Sequence, residues 1–596
     1  MKFFAELQRR HVYKVGAAYA VAGWLLVQII TQVFPIYDIS AHVQRIFVGV
    51  IIAGFPLALI LAWLFDLTPQ GIVRTAEVTA DGETPAEQRE RRGTDRRLNY
   101  VLGTLLLAAL CYVAAERLGW IAGARSGGAE AADKSIAVLP LVNQSGDKEQ
   151  QYFSDGLSED LINALSQSPG LKVIARSSSF RFRDSQEDVR TIGTKLGVAH
   201  LLEGSVRRAG DVVRINAELV DVVDGSTLWS QHYDRPYADL FKLEDEITVA
   251  VVGALRARLA GSGAAADQSE RPPGGSLEAY NAYQQGKFYL ERFTEEDTAK
   301  AIRWFEKAIQ FDPQYARAYN EMAYGWFLSA GNYLEGARAA DAVAKGRAAL
   351  DRALQLQPDM AAAHAQHANL LAIEEFDWSG AEAEARRAVQ LAPNDSAARR
   401  SLGIVLGATG RFEESVQNLL LARDADPLAM ETYVWLLGFQ LAQGRDVDAE
   451  QTTRKGIELQ PLNGLLRYYL AMQQFLAGDR AGARATAKQT PPGSWRVLVL
   501  ALAGQAGDDR AAADAALQKL IDTQAGFAAF QIAEMYALRQ QPDPMFQWLD
   551  RARENRDPGL EFLLGDRAFK PYRSDPRFAA FCKSVNLPVP GGATSS

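Results

Sequence analysis

Residues 135–165 read SIAVLPLVNQSGDKEQQYFSDGLSEDLINAL, an apolar run that feeds a loop of Asn, Ser, Gly and Asp into a helical pattern. Nucleotide sites are built in this order, with backbone amides at a helix N-terminus holding a phosphate. The charges argue against such a site. Asp147, Glu149, Asp155, Glu159 and Asp160 stand against the single cation Lys148, and a helix N-terminus already supplied with carboxylates repels a phosphate. Gly146 and Gly156 fit neither the dinucleotide nor the P-loop glycine pattern. Ser154 or Asp155 therefore reads as the helix cap, with Leu157, Leu161, Ile162 and Leu165 as its core face.

Other groups capable of chemistry are few. His364 and His367 share one helical face, as two metal ligands do, but no carboxylate stands on their turn, and the helix belongs where packing residues are needed. His200 and His232 fall on separate strands with no Ser or Cys in a nucleophile setting. In SSSFRFR, Phe180, Arg181, Phe182 and Arg183 could stack on bases, yet no wider basic surface accompanies them, so a strand-edge or partner contact is the expectation. Two cysteines, Cys111 and Cys582, rule out a disulfide framework or a thiolate metal site. No catalytic, cofactor or metal residue is assigned, and the chain is expected not to be an enzyme.

These groups are carried on 596 residues, enough for three or four units, with a net charge of -8 that disfavours wholesale nucleic-acid binding. Apolar blocks at 15–36, 46–65 and 99–121 are long enough to read as transmembrane helices, the second kinked at Pro56. The tail 1–14 holds Lys2, Arg9, Arg10 and Lys14, the first loop only Arg45, and the loop 66–98 six arginines, including those of EQRERRGTDRR. By the positive-inside rule the tail and the basic loop face the cytoplasm and residues after about 122 lie outside it, which for a bacterium is the periplasm. The lipid bilayer is thus the first expected partner.

Residues 134–260 alternate in short units. SIAVLPLV and LKVIARS read as strands, and the stretches after them as helices. VVRINAELV alternates strictly, with Val213, Ile215, Ala217 and Leu219 on one side and Arg214, Asn216 and Glu218 on the other, so a half-buried antiparallel pair follows. The order βαβαβββα predicts a small sheet with helices on one face. The stretches SIAVLPLVNQSGDKEQQYFSDGLSEDLINAL, LKVIARSSSF, LGVAHLLEGSVRRAGDVVRINAELVD and LWSQHYDR resemble the TolB amino-terminal-like or FlgO-like domain of bacterial membrane-bound tetratricopeptide proteins. Relatives of that class often carry an adenylate cyclase or winged-helix domain in front of it. In their place stand FFAELQRRHVYKVGAAYAVAGWLL and GFPLALILAWLFDLTPQGIVRT, which resemble the membrane module of a subgroup. The resemblance implies architecture and brings no catalytic motif.

After a Gly- and Pro-rich linker at 261–276, prolines recur at 313, 358, 393, 427 and 461, the last three intervals being 35, 34 and 34 residues. Ala301, Phe305 and Ala308 precede Pro313 at the offsets that Ala381, Ala385 and Ala388 keep from Pro393, and Ser415, Leu419 and Ala422 from Pro427. Gly410, Gly444 and Gly478 mark the turns between paired helices. This is the tetratricopeptide pattern, expected over 277–560, with a C-terminal cap and tail at 561–596. First helices of such pairs line a groove, and Asn320, Tyr324, Asn369 and Arg400 are the residues placed to face an extended peptide. The whole reads as a multi-domain membrane protein with three transmembrane helices, a small α/β domain and an all-α superhelix. Its expected work is protein binding in envelope assembly or sensing, or regulation of a separate cyclase or transcription regulator.

Overall fold

The computed structural model describes residues 65–68, 71–74, 134–147, 150–166, 168, 170–256, 271–334, 336–507 and 509–590. The tail 1–14, the expected spans at 15–36 and 99–121 and nearly all of 46–65 lie outside the described residues, as do most of the basic loop and of the linker. Among the described residues no helix is long and apolar enough to cross a membrane. Residues 1–124 form a unit of their own, in which β1 (Phe65–Thr68) pairs antiparallel with β2 (Gly71–Arg74).

In the second unit, β3 (Ser135–Val138) is fully buried, as an apolar run needs to be when it runs between two neighbours. Pro140 has no amide to continue the ladder, and a short β4 (Val142–Asn143) follows. Then come α1 (Gln151–Ser166), β5 (Lys172–Val173), α2 (Arg176–Ser179), α3 (Val189–Leu196), β6 (His200–Ala209), β7 (Val212–Asp221), β8 (Thr227–Pro236) and α4 (Leu240–Arg256). The sheet order is β5-β3-β6-β7-β8 with β4 beside β6; β3 runs parallel to both neighbours, and β6, β7 and β8 are antiparallel. Along β7, Val213, Ile215, Ala217 and Leu219 are completely buried.

Two expectations are corrected. Helices cover both faces of the sheet: Ile136 and Val138 pack with α1 and α4, while Ala137 and Leu139 pack with Ile192 and Leu196 of α3. A central strand buried on both sides requires this. Ser154 and Asp155 are not the cap of α1 but lie buried inside it, since the helix starts at Gln151. The Asp155 carboxylate serves a tertiary contact instead, accepting two bonds from Arg183.

The remainder folds as eight antiparallel helix pairs among the described residues. The first is α5 (Leu277–Leu290) with α6 (Glu295–Phe311), the second α7 (Ala316–Asn332) with α8 (Ala337–Leu356). The third is α9 (Ala361–Leu370) with α10 (Trp378–Leu391), the fourth α11 (Ser396–Ala408) with α12 (Phe412–Ala425). The fifth is α13 (Met430–Ala442) with α14 (Asp446–Leu459), the sixth α15 (Gly464–Leu476) with α16 (Arg480–Gln489). α17 (Ser494–Gln505) with α18 (Arg510–Gln524) and α19 (Ala529–Leu538) with α20 (Pro542–Glu554) complete the array. Ala301, Phe305, Ala308, Ala381, Ala385, Ala388, Ser415, Leu419 and Ala422 are all fully buried between helices, because only small or well-fitted side chains let paired axes approach. A short α21 (Pro576–Ser584), capped by Asp575, is the last helix among the described residues.

The turns inside the pairs need a left-handed residue. Gly410, Gly444 and Gly478 supply it at φ 87, 77 and 80°. In the first pair the same place is taken by Phe293, at φ 50° and 57 % exposed. A left-handed side-chain residue costs roughly 1–2 kcal/mol, against roughly 0.5–1 kcal/mol of extra chain freedom for glycine. Phe293→Gly is therefore expected to stabilise the chain by about 0.5–1 kcal/mol, measured as a rise in the midpoint of thermal or urea unfolding.

Candidate interaction site

The face formed by the first helices begins with the expected groove residues. Asn320 on α7 is 2 % exposed, its amide donating to Glu321 at 3.2 Å. Tyr324, one turn on, is 36 % exposed. Its phenol is pushed up to about 12 by burial, with Glu431 and Glu321 adding to the effect and Arg400 opposing it. Asn369 on α9 is exposed and accepts from the Ser401 hydroxyl at 3.1 Å. Arg400 on α11 reaches Glu431 of α13 at 3.3 Å. Tyr324, Arg400 and Glu431 thus gather charge and an aromatic ring on one accessible stretch.

Further along, the chain covers this face with its own C-terminal segment. The Phe562 ring stacks on Trp435 at 4.3 Å and 11°, and also meets Phe439 and Tyr469. Trp378 donates its indole N–H to the Val585 carbonyl at 2.8 Å, and Asn586 donates to the Phe376 carbonyl at 3.3 Å. Phe376, Trp378, Val405, Phe530, Phe569 and Phe578 share one buried cluster. Offset-stacked rings add stabilisation of about 0.5–1.5 kcal/mol per pair beyond the area they bury. An extended peptide could reach this part of the face only by displacing residues 558–587.

That segment closes over acids. Tyr468 donates to Glu534 at 2.9 Å, and burial, then Asp566, push the Glu534 carboxyl well above the usual range. Burial alone pushes Glu561 up to about 8. A raised folded-state value means that the group's contribution to stability is fully present below its ordinary value of 4.5 and is lost as pH rises through about 8. Thermal unfolding of the protein is expected to show this loss between about pH 5 and pH 9, and Glu561→Gln is expected to flatten it.

The third element of the site joins the α/β domain to the array, and it uses the acidic stretch that opened the sequence. Glu159 of α1 meets Arg176 at 3.0 Å and Lys287 of α5, while Arg176 also pairs with Glu291. Burial alone would raise the Glu159 carboxyl, but Lys287 and Arg176 hold it below its ordinary value. Tyr280 of α5 donates to Asp160. Gly156 has no side chain because Gln284 occupies the space: an added Cβ would lie 2.6 Å from its side chain.

A second line of contact lies at the turn between the fourth and fifth pairs. The Ala175 amide donates to the Ala425 carbonyl at 3.0 Å, and the Leu428 amide to the Ser178 hydroxyl at 2.8 Å. Ser177 and Ser178 both donate to Asp426, and Arg181 reaches the Leu428 carbonyl at 3.3 Å. Leu428 packs in the same cluster as Ile174, Leu196 and Val222. The residues of SSSFRFR are therefore in contact with the chain's own repeats.

The histidines fill other roles. His364 and His367 both face Glu384, which comes from the neighbouring helix α10 and was invisible to spacing along one turn. The other nitrogen of His364 lies 2.8 Å from the Pro358 carbonyl, so both ring nitrogens are engaged by oxygens of the chain itself. Among the described residues no group of three or more His, Cys, Asp or Glu side chains could hold a metal ion. His200 is buried with Nδ1 3.1 Å from the Ser135 carbonyl, and His232 is exposed on β8.

The α/β domain has a recognisable relative. Residues 132–249 match the family model of the second domain of HilA/YgeH-like transcriptional regulators. That span runs through β3 and most of α4, so the matched domain is the one docked on the repeats. A protein named putative adenylate cyclase 3, from Rhizobium meliloti (strain 1021), is 40% identical over 194 residues, which are 32% of this chain and 32% of that protein. The chain thus spans about a third of the length of that curated relative. Solved structures are similar at low identity: pilF of Pseudomonas aeruginosa at 20% over 37% of this chain and 96% of its own, with a TM-score of 0.29. Yeast Tom70 is similar at 15% over 55% of this chain and 69% of its own, with a TM-score of 0.34. The tetratricopeptide-like architecture stands on the helix pairs themselves.

Proposed function

We propose that this chain is a non-enzymatic, membrane-anchored component of a bacterial signalling system, which engages a protein partner through the open stretch around Tyr324. The observation that carries the proposal is the docking of the α/β domain on the repeats through Glu159, Asp160, Ser178 and Asp426, which makes a sensor-sized domain and a protein-binding array move together. The α/β domain is of a kind shared with a class of transcription regulators, and a putative adenylate cyclase carries a related segment. Both names belong to signalling proteins. They support the regulatory reading over a scaffold in envelope assembly, for which no comparable observation speaks.

The anchor is proposed to be the three apolar blocks, which place the chain in the inner membrane as a multi-pass protein with a cytoplasmic N-terminus and the body after about residue 122 in the periplasm. The TolB- and FlgO-like resemblance is consistent with that address. Alkaline phosphatase fused after residue 130 is expected to be active, and an inactive fusion of normal abundance would move the body to the cytoplasm. A photo-crosslinking residue replacing Tyr324 is expected to capture a protein partner in cells, whereas one replacing Lys307 on the second helix of the first pair is not. Equal capture at both positions would remove the groove from the account.

A further inference from the structure

We propose that the cleft between the end of α13 and the C-terminal segment binds a small phosphate-bearing anion. The cleft measures about 360 Å³ and is lined by Gln443 and Gly444 on one side and by Gly565, Arg567, Lys570 and Arg573 on the other. Its volume is at the lower end of small-ligand sites, roughly 300–1,000 Å³. A phosphate monoester fits such a space, and an extended peptide does not.

The sequence RAFKPYR places the three cations three residues apart. Residues 570–572 form a 3₁₀ turn, and the Lys570 and Arg573 amides donate back to the carbonyls of Arg567 and Lys570 at 3.2 and 3.4 Å. A 3₁₀ repeat stacks side chains at i and i+3 on one edge. The alternative is that these cations only satisfy carbonyls at helix ends, and it accounts for part of them. Arg567 donates to the Leu441 carbonyl at 2.9 Å and pairs with Asp446 at 2.7 Å, and Arg573 donates to the Leu564 carbonyl. It leaves Lys570 exposed with no acidic partner among the described residues, and the Arg573 Nε buried without a hydrogen bond. Three cations therefore line the cleft, with Asp446 paired to Arg567 and the buried Asp566 near enough to Arg573 to feel its charge.

Beneath the cleft, burial raises the Glu534 and Asp566 carboxyls above their ordinary range, and at Asp566 this is opposed by the bonds to Glu534 and the Ala568 amide and by the Arg573 charge. A phosphate group can be held by a Lys as a point charge and by an Arg fork in the same cleft. Since one wall belongs to the repeats and the other to the C-terminal segment, a bound anion would fasten the segment to the repeats.

The test is calorimetric titration of the full chain in uncharged detergent with inorganic pyrophosphate and, separately, with glycerol phosphate and a short-chain phosphatidic acid. Saturable binding of pyrophosphate in the micromolar to low millimolar range is expected, weakened about tenfold or more by Lys570→Glu and less by Lys570→Gln. Lys583→Glu, the same charge change on α21 outside the cleft, is expected to leave affinity unchanged. Binding of phosphatidic acid more than about tenfold tighter than glycerol phosphate would assign the phosphate to a lipid, and equal binding to a soluble compound. No saturable binding up to about 10 mM, or equal weakening by Lys570→Glu and Lys583→Glu with unfolding midpoints unchanged, would overturn the proposal.

Discussion

Trp378→Ala is expected to lower stability by about 3–5 kcal/mol and to release the C-terminal segment before the rest of the chain unfolds. Trp378 is 5 % exposed, sits in the cluster with Phe569 and Phe578, and holds the Val585 carbonyl through its indole N–H. Removal of the ring leaves a cavity, and the stranded carbonyl costs a further ~1–3 kcal/mol if water cannot reach it. Hydrogen exchange should then show residues 576–587 losing protection while β6 and β7 keep theirs. Trp378→Phe, which retains most of the apolar surface, should lose a smaller part. If the segment stayed protected in the alanine variant, its packing on the repeats would be less important than its burial implies. The same variant should uncover Trp435, now stacked beneath Phe562, and so lengthen the accessible part of the first-helix face.

The second large effect is expected at Glu159. Its carboxylate meets both Arg176 and Lys287, and the three side chains are 11, 19 and 13 % exposed. Replacement by Ala removes the carboxylate that Arg176 and Lys287 share, although Arg176 keeps Glu291. Breaking a buried pair on one side costs about 3–5 kcal/mol, and most of that loss should appear as undocking of the α/β domain. Amide exchange in α1 and α5 should accelerate together, while α17 and α18 at the other end of the array stay unchanged. The pH dependence has a definite sign. Because the carboxyl is held below its ordinary value of 4.5, its contribution is present above that value and is lost as pH falls through the depressed one. Acid should loosen this interface, whereas alkali should loosen the cover that contains Glu561.

Those opposite signs show what the sequence could and could not reveal. The alternation of VVRINAELV and the spacing of Pro393, Pro427 and Pro461 are local regularities, so strand faces and helix pairs were legible. The acidic surplus of residues 147–160 was visible too. Its purpose was not visible, because the answering cation Lys287 lies 128 residues away from Glu159. Glu384 facing His364, and Phe562 stacked on Trp435, are likewise contacts between helices that share no sequence register. The groove residues were placed by repeat position alone, which could show neither that Asn320 is buried nor that the C-terminal segment lies over part of the first-helix face.

The claim on which the functional reading rests is that the α/β domain and the repeats form one docked body. Ala175 and Ala425 meet across that junction through a direct backbone hydrogen bond of 3.0 Å, a separation compatible with the Cα spacing of about 4.4–6.8 Å that a disulfide needs. With Cys111 and Cys582 replaced, Ala175→Cys combined with Ala425→Cys in the full chain should form an intrachain disulfide under mild oxidation, detected as a non-reducing mobility shift with no thiol left to label. Two thiols that remain labelled after oxidation, in a protein with unchanged unfolding behaviour, would contradict the docked arrangement.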